Sequence, residues 1–391
     1  MPASTPSRVV NIGLLGCGEV AQVVYIPTLS LMSDWFRITY LCDISPASLE
    51  HCAAKLNNVP ATTSNPTELC KSDQVDVVVV VSSDEYHASH AILALEHDKH
   101  VLVEKPVALT RRDALAIAEV EKRSRGRAMV AYMRRYAAPF EDAVREIGGM
   151  DKILYARVRD IIGPNSHFVN QSGTFPKKVA DFSAADTADK DSRAKEMAET
   201  ALKDECGVHQ SPESTLMWRI FGGLGSHDLS LMREALGMPE KVVGSSLGFP
   251  FWKYVSLATD LIEKNNANEN TLYSVLYKYR NFTVSYESGI DNVPRFDAHL
   301  EVYGTDRTVK VQYDTPYVKG LPVTMHIAEN ADGVYKETTI RKSYEDPYTL
   351  ELKTLWEMVV DGKQPKTTVE DALQDIEIFA MAMRHGYGVG H

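Results

Sequence analysis

The sequence predicts an α/β protein of two domains: a doubly wound parallel sheet over residues 1–135, then an α+β domain over residues 136–391 with a large, mainly antiparallel sheet. Three observations point there. A glycine-rich turn, Gly16-Cys17-Gly18-Glu19-Val20-Ala21, follows an apolar run. Apolar runs then alternate with helical patterns through about the first 135 residues. Beyond Gly148 the apolar runs change to strands of alternating polarity.

The first run, Val9 to Leu15, is continuous in apolar residues, as a strand buried on both faces must be. In such a strand-turn-helix, Gly16 makes the tight turn and Gly18 lets the backbone approach a pyrophosphate. The small Ala21 lets helix and strand pack closely. Taken alone, paired glycines at a strand end are often only a turn. The next run, Phe36 to Cys42, ends in Asp43, where a dinucleotide fold puts a carboxylate on the adenosine ribose hydroxyls. The alternative is a cap, since Asp43-Ile44-Ser45-Pro46 also suits the start of a helix running through Leu49 to Leu56. A 2′-phosphate about 4 Å from Asp43 would be repelled by roughly 4 kcal/mol at an effective dielectric of about 20. Ile44 and Ser45 stand where a phosphate-binding residue is expected, and Arg37 is the only nearby cation, so NAD is favoured over NADP.

Val75 to Val81 is a β-branched run ended by Ser82-Ser83 and followed by a helix from about Tyr86 to His97 that contains His87. His100 to Val103 repeats the pattern, closing in Glu104-Lys105-Pro106. A helix from Arg111 to Arg125 and a short strand from Ala128 to Met133 complete the alternation. In a sheet of this kind ligands bind at the carboxyl ends of the strands, where Ser82, Ser83, His87, Glu104 and Lys105 fall. In the second domain Leu272 to Tyr279, Thr283 to Glu287, Ala298 to Tyr303 and Thr308 to Tyr313 read as antiparallel strands. Arg280-Asn281 and Asp306-Arg307 are their hairpin turns. Thr349 to Asp361 and Val369 to His385 read as helices with Trp356, Met358 and Phe379 in the core. Asp181 to Lys203, rich in Ala, Asp and Lys, reads as a loosely amphipathic surface insertion.

At 391 residues and 44% hydrophobic content, two sizeable cores are available. The net charge of −11, without a basic stripe, argues against nucleic acid or an anionic membrane as partner. Met1 to Arg8 is polar and there is no run of eighteen apolar residues, so a soluble, cytoplasmic protein is expected. Cys17, Cys42, Cys52, Cys70 and Cys206 make no Cys-x-x-Cys pair and read as reduced structural thiols. His167, Cys206, His209 and His227 fit no closed zinc spacing, so no metal is expected. Neither a Gly-x-Ser-x-Gly elbow nor a Walker loop is present.

Together these residues resemble the glucose-fructose oxidoreductase, inositol dehydrogenase and rhizopine-catabolism (Gfo/Idh/MocA) family over nearly the whole chain. The resemblance rests on the glycine-rich turn, Asp43, Ser82 through His87 to Ala94, and Val101 to Pro106. Ala131-Tyr132-Met133-Arg134-Arg135-Tyr136, Gly225-Ser226-His227 and Glu370-Asp371-Ala372-Leu373 add to it. It implies a Rossmann domain, an α/β domain with a large open sheet, and a homodimer or homotetramer formed through that sheet. It also implies a cis Lys105-Pro106 bond. Dinucleotide contacts would come from Gly16, Gly18, Glu19, Val20, Asp43, Ile44, Ser82, Ser83, His87, Glu104, Lys105 and Arg134. Substrate would meet Lys105, Arg134, Arg135, His227 and Asp228.

Oxidising an alcohol by hydride transfer also requires loss of the hydroxyl proton to a positioned base. Lys105 is the candidate base, the alternative being a surface lysine paired with Glu104. His227 shares the proton by resemblance, the alternative being a capping or core histidine. Many relatives carry an aspartate four residues before this histidine, where this chain has Gly223, and Asp228 is the one candidate substitute. Arg134 and Arg135 are alternatively solvated charges. The expected activity is NAD-dependent oxidation, or the reverse reduction, of a hydroxyl on a sugar, cyclitol or related polyol. Two other readings stay open: a non-catalytic dinucleotide-binding regulator of a sugar pathway, and a glycosidase-type lyase that uses NAD transiently. Ile161 to Trp218, which by resemblance lines the substrate site, carries no interpretable code.

Overall fold

The structure, a computed structural model, describes residues 6–247 and 271–388. Residues 1–5 of the polar amino-terminal stretch lie outside the described residues. The chain forms two units. The first comprises Met1–Tyr132, Thr174–Met197 and Glu351–Leu373, and the second Met133–Gly173, Ala198–Leu350 and Gln374–His391.

In the first unit the runs read above become β1 (Val10–Leu15), β2 (Phe36–Cys42), β4 (Val77–Val80), β5 (His100–Glu104) and β6 (Ala128–Ala131), and a short strand β3 (Ala61–Thr63), which no apolar run marks, joins them beside β2. They lie in the order β3-β2-β1-β4-β5-β6 with every neighbour parallel. Val77 to Val80 are wholly buried, as the absence of polar alternation requires. The strand order reverses between β1 and β4, the place where a doubly wound sheet opens a crevice at its carboxyl edge. Two later segments complete this unit. Thr174–Met197 carries the helix Ala184–Glu199 as far as Met197, within the stretch Asp181 to Lys203 read above as an insertion. In Glu351–Leu373, Trp356 meets Trp35 edge-on at 5.1 Å and donates its indole N–H to the Arg8 carbonyl at 2.9 Å. The Thr367 carbonyl accepts from the amide of Val130 in β6 at 2.8 Å.

The second unit is built on β7 (Ile153–Ile162), β8 (Lys241–Ser246), β9 (Thr271–Lys278), β10 (Thr283–Ile290), β11 (Phe296–Gly304), β12 (Arg307–Tyr313), β13 (Thr324–Ala331) and β14 (Val334–Ile340). Their order is β14-β13-β12-β11-β7-β10-β9-β8. Among the described strands of this sheet only β7 with β10 is a parallel pair; the other neighbours are antiparallel. Alternate residues such as Val158, Tyr286, Leu300 and Val311 are buried on one face, while Leu272 and Leu276 are exposed. Arg307 already opens β12, so the turn before it falls one residue earlier than the expected Asp306-Arg307.

Candidate active site

The glycine-rich turn closes β1 as its residue types demand. Gly16 has φ +106°, and a Cβ there would stand 2.6 Å from the Val81 carbonyl oxygen, so backbone freedom and close approach to the end of β4 both require glycine. A Cβ on Gly18 would meet nothing within 4 Å, and Gly18 is exposed where Gly16 is buried. The turn therefore presents open backbone, the surface a pyrophosphate needs. Glu19 and Val20 are half-buried beside it, and the buried Ala21 begins a π-helical turn, Ala21–Tyr25, that leads into the helix Ile26–Leu31. Asp43 sits against this turn: Cys17 N donates to Oδ2 at 2.7 Å and Ser45 N to Oδ1 at 2.8 Å. Burial pushes the Asp43 carboxyl up, and these two amides oppose it. The helix Pro46–Ala53 is capped by Ser45, whose hydroxyl accepts from Ser48 N, and not by Asp43. Ile44 is exposed.

The end of β4 is tied to the end of β5. His87 is buried, with Nε2 2.9 Å from the Ser82 carbonyl oxygen and Nδ1 2.7 Å from that of Pro106. The Ser82 hydroxyl lies 3.0 Å from His90 Nδ1, and the Ser83 carbonyl accepts from Tyr86 N at 2.9 Å. Glu104 is buried, accepting from the Tyr25 hydroxyl at 2.8 Å and from Lys105 N at 3.1 Å. The Lys105-Pro106 bond is cis and Lys105 is half-buried. Gly16, Asp43, Ser82, His87, Glu104 and Lys105 are thus gathered along one edge of the parallel sheet. Among the described residues all five cysteines are free and buried. Burial pushes Cys42, Cys70 and Cys206 up to about 12, which leaves them poor nucleophiles.

In the second unit Arg134 and Arg135 lie on the short helical turn Met133–Tyr136, both 3% exposed, so neither is a solvated charge. Arg134 Nη1 lies 3.0 Å from Asp160 Oδ2 and bonds the Asp228 carboxylate. Its guanidinium carbon is 5.5 Å from the ring centres of Phe296 and Tyr313, and its carbonyl accepts from the Tyr313 hydroxyl at 3.0 Å. Burial works against the Arg134 charge, but Asp160 and Asp228 outweigh it and raise its pKa. Burial, then Asp160, hold the Asp228 carboxyl well above the carboxylate range. Arg135 pairs with Glu234.

His227 is half-buried on a helix that runs without a break from Pro212–Ile220 through a π-helical turn, Phe221–Gly225, into Ser226–Leu236. It is therefore not a helix cap. A Cβ on Gly223 would meet nothing within 4 Å, so the missing aspartate is a choice of sequence rather than of space. Asp228 is turned to Arg134 and Asp160. Sequence reasoning missed Asp160, although a signal existed: it falls on the inward register of Ala156 and Val158, where a charge needs a partner.

A parallel sheet with a glycine-rich turn at its switch point, an acidic residue closing β2 and a cis-proline turn closing β5 define a dinucleotide-binding α/β protein. Residues 10–132 match the oxidoreductase family with NAD-binding Rossmann fold (Gfo/Idh/MocA), so this stretch of the first unit is a Gfo/Idh/MocA-type NAD-binding Rossmann domain. It is 32% identical over 155 residues to 1-carboxy-3-chloro-3,4-dihydroxycyclohexa-1,5-diene dehydrogenase of Comamonas testosteroni, covering 40% of this chain and 38% of that one. It is 34% identical over 127 residues to inositol 2-dehydrogenase 2 of Saccharopolyspora erythraea, covering 32% and 37%. The matches thus span less than two-fifths of these relatives' length. Across the whole chain the fold is similar to levoglucosan dehydrogenase solved with NADH and levoglucosan, with TM-score 0.68, 15% identity and 97% of each chain covered.

Proposed function

We propose that the protein is an NAD-preferring oxidoreductase that moves hydride between a nicotinamide and a hydroxyl-bearing carbon of a sugar, cyclitol or related polyol. The observation that carries this is the position of Lys105. It follows the last residue of β5 beside a cis-proline, its backbone amide is held by Glu104, and Pro106 is held by His87 on the same sheet edge as the glycine-rich turn. The names of the relatives support the substrate class.

When bound, the dinucleotide supplies the hydride acceptor or donor. Lys105 Nζ takes the hydroxyl proton as the C–H pair leaves, and returns it in the reverse direction. His227 assists as a donor or acceptor to the same hydroxyl. Gly16, Gly18, Glu19 and Val20 seat the pyrophosphate and Asp43 the adenosine ribose. Ser82, Ser83 and His87 shape the strand ends, and Glu104 positions Lys105. Arg134 and Asp228, committed to each other and to Asp160, support the fold around His227.

A panel of polyols with NAD, followed by absorbance of reduced nicotinamide, tests the reading. Lys105→Ala should lose about 10² to 10⁴ in kcat/KM, or roughly 3–5 kcal/mol of transition-state stabilisation, with NADH binding retained. Undiminished turnover in that variant removes the assignment. Binding of NADH without turnover of any polyol selects the regulator, and leaving-group release without net NADH selects the lyase.

A further inference from the structure

The segment Thr174–Met197 belongs to the first unit, and the contacts that hold it there converge on the residues around Asp43. Gln22, next after Ala21, pairs with Lys177 in both directions: Oε1 accepts from Lys177 N at 2.7 Å, and Nε2 donates to Lys177 O at 3.2 Å and to Cys17 O at 2.9 Å. Further along, the Asp181 carboxylate accepts from Ser45 Oγ at 2.6 Å and from Ala47 N at 3.1 Å. Beyond it Asp189 accepts from the Tyr86 hydroxyl at 2.7 Å, so the segment runs from the end of β2 to the end of β4. Lys55 anchors its start through the carbonyl of Thr174.

Ser45 and Ala47 begin the helix Pro46–Ala53, two residues after the carboxylate that would hold the adenosine ribose. A serine hydroxyl and a first-turn amide beside that ribose are the donors a 2′-phosphate would take. In this chain another carboxylate has already taken them. Burial, and among charges Asp181, push the Asp43 carboxyl up, so two like charges stand at this edge. Lys177 is the cation that acts on Asp181.

We propose that Asp181 determines the nucleotide preference: it occupies the 2′-phosphate seat on Ser45 and Ala47 and, together with Asp43, excludes NADP. The proposal rests on the reading of the first unit as the nicotinamide-nucleotide site. Its test is the dissociation constants of NADH and NADPH, measured by fluorescence titration on the full chain for the natural protein and for Asp181→Asn, Asp181→Ala and Asp181→Glu. The preference for NADH over NADPH should fall about tenfold or more in Asp181→Asn and Asp181→Ala and persist in Asp181→Glu. An unchanged preference in Asn and Ala variants that retain the natural circular dichroism and melting temperature overturns the proposal. So does loss of NADH binding in them, which would make the carboxylate a nucleotide ligand. If the natural protein binds neither nucleotide, the nucleotide-site reading itself falls and takes this proposal with it; binding of NADH with an unshifted preference removes the proposal alone.

Discussion

At the scale of single residues, charge accounting makes the clearest predictions. Arg134→Met leaves Asp160 and Asp228 buried without their cation and should cost about 3–5 kcal/mol of stability. Asp228→Asn removes no cation and puts a neutral amide where a raised carboxyl already stands, so it should cost markedly less. Denaturant unfolding of the two variants side by side checks the contrast. His90 gives a pH dependence of known sign. Burial, with His87 and Arg193, lowers it to about 4, against 6.5 when unfolded. Between those values the unfolded chain binds the extra proton, so stability is full above pH 6.5 and is lost as pH falls toward 4. The contribution at pH 5 is about 2 kcal/mol below that at pH 7, and His90→Gln should remove it from the unfolding free energies measured at the two pH values.

At the scale of elements, the two glycines of the first turn should separate folding from binding. Gly16→Ala meets a positive φ and the Val81 carbonyl, so it should destabilise the first unit by about 2–4 kcal/mol. Gly18→Ala points into open space and should leave the melting temperature nearly unchanged while weakening NADH binding. Calorimetry and NADH titration of both variants separate the two effects. The same contrast shows what was legible in the sequence. Strands β1, β4, β5 and β6 announce themselves because burial on both faces leaves apolar runs, β2 because its apolar residues alternate before closing in Leu41-Cys42, and the glycine turn, Asp43 and Lys105 stand at their ends. β3, only Ala61–Thr63, is too short to show a period. The parallel pairing of β7 with β10 joins segments far apart in the chain, and no local pattern encodes it. The same distance hid Asp181 on Ser45 and Asp160 on Arg134. The inward face of β7 marked Asp160 as needing a partner without saying which.

At the scale of the whole molecule, the first unit is not one stretch of sequence. A fragment of residues 6–132 lacks Trp356 against Trp35 and Arg8, Thr367 on Val130, and the Gly362 carbonyl that accepts from Arg127 at 2.7 Å. It should lose about 3–5 kcal/mol relative to the same unit in the full chain. Thermal unfolding of the fragment, alone and with residues 351–373 attached through a flexible linker, checks this: the attachment should recover most of the deficit. Because Thr367 lies more than two hundred residues beyond β6, the outer edge of the dinucleotide sheet gains this last backbone hydrogen bond only after the intervening segments of the other unit have been synthesised, so the edge strand is the part of the sheet exposed longest to mispairing.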